Sequence, residues 1–281
     1  MKKIFISFLF SFLLIGTMFS QNAGTLNIAT YNLRMDTPTD GENAWPNRKD
    51  MVKALVQFHD FDIFGTQEGF VHQLKGICEL DAYDYVGVGR DDGKEAGEHS
   101  AIIYKKDRFS VLDKGNYWLS ETPDVPGKGW DATCCNRICS WAKFKDKTTG
   151  KEFFFFNVHY DHEGKEARRE SSKLMISKIK SIAGNLPFFC TGDFNATPDS
   201  EPIQILYNDG TLIDSYKITK LPPYGPVGTY QGFKIQTRPE GRIDYIFVSK
   251  GIQINKHGVL TDINHNRLPS DHFPVVANVE W

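Results

Sequence analysis

Asp193 and Asn195 stand two residues apart in PFFCTGDFNATP (187–198), where a short apolar run, Pro187 to Cys190, stops at Thr191-Gly192. A carboxylate and an amide released together from a buried strand can hold a water or a cation. The same arrangement recurs along the chain. TYN ends in Asn32, FGTQE in Glu68 and NVHYDH in His159, Asp161 and His162, while RIDYIF carries Asp244 and SDHFP carries Asp271 and His272. Residues two apart on a strand point to one face, so Asp193/Asn195 and His159/Asp161 can each aim together. Singly each has a plainer role: Asn32 as a turn cap, Asp193 as an Asx-turn residue, His159 as a satisfied polar side chain. Six such strand ends in one chain point to a shared site. Carboxylates held close together stay charged only with a cation among them, and the oxygen set Glu68, Asp193 and Asp271 favours Mg²⁺ or Mn²⁺ over zinc.

The elements that must position these groups are a mixture of strands and helices. TLNIATYNLR (25–34) alternates as a strand, and 43–60 carries a helical stripe of Met51, Val52, Leu55, Val56 and Phe58. VHQLKGICEL reads as a helix, and GEHSAIIYKK, NYWLS, ICSWAKF and KEFFFFNVHY read as strands. A helix is predicted over 163–184, with Gly184 suited to its stop, and a short one over 201–208. RIDYIFVSK, GIQINKHGVLTD and PVVANVEW close the chain with β character. Mixed elements with strands in excess predict two packed sheets with helices outside. No repeat or linker interrupts residues 21–281, which are expected to form one domain ending in a strand.

Lys2-Lys3 followed by the apolar stretch Ile4 to Met18 predicts a signal peptide over 1–20, cleaved near Ser20–Gln21. The protein is then expected to be secreted or periplasmic and monomeric, with no stable membrane anchor after cleavage. The apolar core is short for a membrane span, and no cysteine sits near the cut to carry a lipid. A charged content of 24% and a net charge of −2 offer no electrostatic pull on polyanions, which counts weakly against a dedicated nucleic-acid binder. The five cysteines (78, 134, 135, 139 and 190) lack zinc-site spacing. A disulfide involving Cys139 is left open, and Cys190 is expected in the core.

TYNLR, GTQE, NVHYDH, TGDFN, RIDYIF and SDHFPV, in that order, resemble the motifs of the endonuclease/exonuclease/phosphatase family. Its members include pancreatic-type deoxyribonuclease, abasic-site nucleases, neutral sphingomyelinases, inositol-phosphate phosphatases and deadenylases. The resemblance covers essentially all of the chain after the signal segment. It implies a four-layer α/β sandwich, two mixed sheets flanked by helices, that cleaves phosphoester bonds with Mg²⁺ or Mn²⁺. It implies that Glu68 is the main metal ligand with Asn32 beside it, and that Asp271 is a metal- or water-associated acid. Asp193 would orient or deprotonate the attacking water, and Asn195 would hold the phosphate. His272 would stand beside the scissile phosphate with Asp244 holding its ring. His159 resembles a second phosphate-side histidine, with Glu98 its implied orienting partner, and Arg137 resembles a phosphate-contacting arginine. Arg34 departs from the abasic-site nucleases, which carry an acid there, and this sets a second metal position in question.

Three loops are expected to frame the substrate: 120–136, 224–233 and 234–242. Their aromatics Trp130, Tyr224, Tyr230 and Phe233 could stack on a base or pack on the body; Tyr230 and Phe233 are the expected substrate contacts. Arg238 and Arg242 are candidates to meet a phosphate. The leading expectation is an exported phosphoesterase acting on a small or medium organophosphate. A secreted DNA or RNA nuclease is the alternative; a phospholipid phosphodiesterase and a binding protein with a dead site rank lower.

Overall fold

The computed structural model describes residues 24–239 and 241–281; the predicted signal peptide, 1–20, lies outside them. In chain order the strands are β1 (Thr25–Asn32), β2 (Ile63–Gln67), β3 (Tyr83–Val86), β4 (Ile102–Lys105), β5 (Phe109–Trp118), β6 (Ile138–Asp146), β7 (Glu152–His159), β8 (Phe188–Asp193), β9 (Ile213–Asp214), β10 (Asp244–Val248), β11 (Gln253–Val259) and β12 (Val275–Glu280). The helices are α1 (Trp45–Phe58), α2 (Val71–Cys78), α3 (Lys165–Ala183), α4 (Glu201–Asp209) and the single turn α5 (Ser215–Ile218). None of the described helices is long and apolar enough to cross a membrane.

Two six-stranded sheets form, ordered β11-β12-β1-β2-β4-β3 and β5-β6-β7-β8-β10-β9. Read from β11 and from β9, they share one sequence of directions. In each, a single parallel pair, β1/β2 or β8/β7, sits between antiparallel neighbours. The inner faces meet in an apolar layer that includes Ile28, Ile63, Phe153, Phe155, Phe189, Ile246 and Val275. On one outer face, Trp45, Val52, Leu55 and Val56 of α1 and Leu74 and Ile77 of α2 pack with Ala29, Tyr31 and Phe64. On the other, Met175 and Ile179 of α3 and Ile203 and Leu206 of α4 cover Phe156, Cys190 and Phe247. This is the four-layer α/β sandwich expected from the sequence.

The parallel pairs explain why the polar strand ends converge. Asn32 ends β1 opposite Gln67 at the end of β2, and His159 ends β7 opposite Asp193 at the end of β8. The antiparallel β10 starts at Asp244, opposite Asp193, and β12 starts just after Asp271-His272. Beneath that end lies a buried polar seam between the sheets. Gln67 Nε2 donates to Thr30 Oγ1 (3.0 Å) and Asn157 Oδ1 (2.7 Å), Asn157 Nδ2 donates to the carbonyls of Thr66 (2.7 Å) and Ala101 (2.9 Å), and Thr191 Oγ1 donates to Asn157 Oδ1 (2.9 Å). Gly65 is obligatory here, because a Cβ would run into Asn157 Oδ1 and Thr191 Oγ1. Gly65→Ala should lower stability by about 1–3 kcal/mol, as overpacking of a well-filled interior does. Urea unfolding measures it, and an unchanged midpoint would mean that the seam is loose.

Candidate active site

Left-handed backbone turns the first site residues inward. Arg34 (φ 54°), Glu68 (φ 63°) and Asn195 (φ 46°) each follow within two residues of a strand end. Such conformations cost about 1–3 kcal/mol for residues with a Cβ and persist where the surroundings fix them. Here Asn32 does much of the fixing. Its Oδ1 accepts from Arg34 N–H (3.0 Å), and its Nδ2 donates to Glu68 Oε1 (3.0 Å) and Asp193 Oδ2 (3.1 Å). Asn32 is therefore turned to bridge two carboxylates as a donor. Its oxygen accepts from the backbone, and the side chain stands beside Glu68 as the sequence led one to expect.

Asp193 is the hub. Its Oδ1 accepts from Asn195 N–H (2.9 Å), and its Oδ2 lies 3.7 Å from His159 Nε2 and 3.8 Å from His272 Nε2. Burial, and then the charge of Asp244, push its carboxyl up to about 7. His272 Nδ1 meets Asp244 Oδ2 at 2.9 Å. Burial would lower this imidazole, but the Asp244 charge and hydrogen bond, followed by Asp193 and Asp271, hold it well above its ordinary value. The ring is thus biased toward its protonated form, fixed at one nitrogen and facing Asp193 with the other.

His159 is the opposite case. Arg137 Nη1 lies 3.2 Å from Nδ1 and 3.1 Å from Nε2 of the ring. Burial, then Arg137 and Arg90, drive its pKa well below normal, so His159 is neutral. The expected Glu98–His159 pairing is not formed as a hydrogen bond, because Glu98 Oε2 stands 3.9 Å from Nδ1 and is bonded to Arg90 Nη1 at 2.6 Å. Burial pushes Glu98 up to about 7 in spite of that arginine. Arg137 is anchored through Nε to Asp161 Oδ2 (3.3 Å) and through Nη2 to His162 Nδ1 (2.7 Å). The His159/Asp161 pair read from the sequence therefore meets at one guanidinium.

These groups line a cavity of about 500 Å³ whose wall includes Arg34, Glu68, Arg90, Arg137, Asp193 and His272. Asn195, Asp271, His162 and Tyr230 also face it. Asn195 Nδ2 donates to the Tyr160 carbonyl (3.0 Å). Tyr230 packs against the His272 ring, centroids 5.0 Å apart, at the rim. Phe233 does not reach the site; it packs on the inter-sheet core and under the Arg48 guanidinium. Arg242 is buried as a two-bond pair with Asp214, at 2.9 and 2.6 Å, and does not line this cavity. Tyr224 pairs with Gly258 across β11 and lies outside this cavity. Cys134 and Cys135 form a disulfide with each other on the cavity wall, whereas Cys139 and Cys190 are free and buried. Arg90 was not foreseen: it sits in GVGRDDG, a loop with no periodicity to mark it.

The family model described as Endonuclease/Exonuclease/phosphatase family matches residues 29–272. The chain belongs to that family. It is a metal-dependent hydrolase of phosphoester bonds. Among solved structures it is similar to the mannosyl-6-phosphatase of Bacteroides thetaiotaomicron, at 47% identity and a TM-score of 0.87, covering 91% of this chain and 100% of that one. It is also similar to an endonuclease/exonuclease/phosphatase of Bacteroides vulgatus, at 41% identity and a TM-score of 0.86, covering 91% and 98%. A curated relative, the 3'-5'-exoribonuclease subunit Ccr4 of Mycosarcoma maydis, is 22% identical over 89% of this chain, and the match spans only 49% of that longer protein.

The residues present fit the divalent metal on which the family depends. Glu68 and Asp271 offer carboxylate oxygens on the cavity wall. Burial raises the Asp271 carboxyl, and the Glu68 charge raises it further, a repulsion that a cation relieves. Asp193, Asp244 and His272 also bring three donor atoms within 4.8 Å of one another. In that trio His272 Nδ1 is taken by Asp244, and Asp193 is held by Asn32 and the Asn195 amide. Glu68 and Asp271 are the better holders.

Proposed function

We propose that this chain is an exported, Mg²⁺-dependent phosphatase that removes the phosphate of a phosphorylated sugar. The observation that carries the reading is the cavity of about 500 Å³ with three guanidinium groups, Arg34, Arg90 and Arg137, on its wall. That volume suits a ligand of one or two sugar rings. Arg137, with Arg34 paired to Asp40 and Arg90 paired to Glu98 beside it, offers fixed guanidinium donors that suit the two charges of a phosphomonoester. Similarity to the mannosyl-6-phosphatase supports a sugar 6-phosphate, and Lys2-Lys3 ahead of the apolar Ile4–Met18 stretch supports export.

Glu68 and Asp271 would hold the ion, which when bound would supply Lewis-acid relief of charge on the phosphoryl oxygens. Asp193 aligns the attacking water and accepts its proton. His272, charged and aimed by Asp244, donates to the phosphoryl group. Arg137, braced by Asp161, His159 and His162, holds a non-bridging oxygen, and neutral His159 packs against that guanidinium. Tyr230 covers the mouth on the leaving-group side.

A substrate panel with Mg²⁺ tests the reading: mannose 6-phosphate, other hexose phosphates, bis-p-nitrophenyl phosphate, RNA and plasmid DNA. A sugar monoester should exceed the diester in kcat/KM by about tenfold or more, since one lost charge-assisted contact is worth roughly 1.5–3 kcal/mol. Its turnover should respond only weakly to salt, because no chain of counterions is released. Faster cleavage of DNA, RNA or the diester would replace the phosphatase with the nuclease alternative.

A further inference from the structure

Three carboxylates surround one guanidinium at the edge of the cavity. Arg34 makes two hydrogen bonds with Asp40, Nε to Oδ2 and Nη2 to Oδ1, each 2.9 Å. Its Nη1 lies 3.8 Å from Glu68 Oε2 and its Nε 3.9 Å from Asp271 Oδ2. The two carboxylates best placed to hold a metal are thus the two that this side chain already faces.

We propose that Arg34 is a built-in second cation: its guanidinium takes the place a second divalent ion would need, so the site binds one ion only. Charge balance favours this. Asp40, Glu68 and Asp271 together carry three negative charges, which one guanidinium and one divalent ion cancel. A second divalent ion beside Glu68 and Asp271 would sit next to a fixed positive charge, and the next carboxylates, Asp193 and Asp244, are engaged by Asn32, the Asn195 amide and His272. An arginine does not give way by losing its proton, and here two hydrogen bonds to Asp40 hold the guanidinium in place.

The side chain is placed to stay there. The Arg34 amide donates to Asn32 Oδ1 at 3.0 Å, and its carbonyl accepts from Arg48 Nη2 (2.6 Å) and Gln73 Nε2 (2.9 Å). Asp40 sits in a short 3-10 turn, Pro38–Asn43, whose cap residue Thr37 accepts from Thr39 N–H. A planar fork on a braced carboxylate leaves Nη1 as the end directed at the metal-holding side, where it can also meet a phosphoryl oxygen. The backbone bonds that fix Arg34 do not involve its side chain, so substitution leaves the loop held.

The inference rests on the family's metal requirement and not on the sugar phosphate, so the test is made without substrate. Metal-stripped protein, full-length after any leader is removed, is titrated with Mn²⁺ by calorimetry, and bound Mn²⁺ is counted by electron paramagnetic resonance. Wild type and Arg34→Lys should bind one ion per chain; Arg34→Met and Arg34→Gln should bind two. Two ions on the wild type would overturn the proposal whatever the variants do, and so would a single ion on both neutral variants once their thermal melts show them folded. A failed sugar-phosphate assay would leave these stoichiometries untouched.

Discussion

Replacing His272 by alanine is expected to cut turnover of the preferred phosphoester by about 10²–10³-fold, the usual cost of removing one preorganised donor to developing charge. The expectation comes from the ring's surroundings. His272 is almost fully buried, holds Asp244 at 2.9 Å through Nδ1 and points Nε2 at the cavity centre, 3.8 Å from Asp193. An imidazolium fixed at one nitrogen pays little to reorient when charge appears on the phosphoryl oxygens. KM should move far less than kcat if, as proposed, the arginines on the cavity wall bind the ground-state phosphate, because they remain. The proton also gives a signature in stability. The folded pKa is raised above the unfolded value of about 6.5, so the charge stabilises the fold in full below about pH 6.5 and loses that contribution as pH rises through the folded value. The melting temperature of the wild type should therefore fall further on alkalinisation than that of His272→Gln. Near-wild-type turnover in folded His272→Ala would remove the ring from the chemistry.

The strand ends were legible in the sequence because each combines two signals, an apolar β run and an abrupt polar finish. Asn32, Glu68, His159, Asp193, Asp244, Asp271 and His272 all arrive at one end of the sandwich on that basis. Helix α3 was legible as well, from the apolar face of Ala167, Leu174, Met175, Ile179 and Ile182 and from Gly184, which at φ 57° ends it where few other residues could. What was not legible is partnership between side chains from separate loops. Glu98 pairs with Arg90 because the β3–β4 loop folds back on itself, with the Arg90 amide donating to the Glu98 carbonyl at 3.0 Å. No spacing rule connects those positions to His159. Arg242 was misplaced for a related reason. A basic residue near a predicted site looks like a phosphate contact until Asp214, on a two-residue strand too short to recognise, claims it. The inter-sheet seam of Thr30, Gln67, Asn157 and Thr191 was invisible because each residue occupies a strand position where an apolar side chain would fit the pattern equally well.

Asp193→Asn should be the most damaging isosteric change in the molecule, lowering kcat by about 10²–10⁴-fold, the range for a lost general base. The substitution keeps the volume of a residue that is 1% exposed and removes only its charge and its ability to take a proton. A carboxyl raised to about 7 by burial and by Asp244 is matched to proton abstraction near neutral pH, where an ordinary aspartate would be too weak a base. Its contacts fit that role. Asn32 and the Asn195 amide hold the carboxylate in one orientation, while two histidine nitrogens face it at 3.7 and 3.8 Å. The competing role is metal ligation, since Asp193 also meets Asp244 and His272 in a cluster of donor atoms. Metal binding separates the two. If Asp193 is the base, Asp193→Asn loses turnover while its Mn²⁺ affinity stays within about threefold of the wild type, roughly 0.6 kcal/mol or less. If it is a ligand, affinity and turnover fall together, and Glu68→Gln should then be no worse for Mn²⁺ binding than Asp193→Asn. A base outside the metal's shell also predicts that excess Mn²⁺ cannot rescue the variant, because the missing group is the one that takes the proton from water.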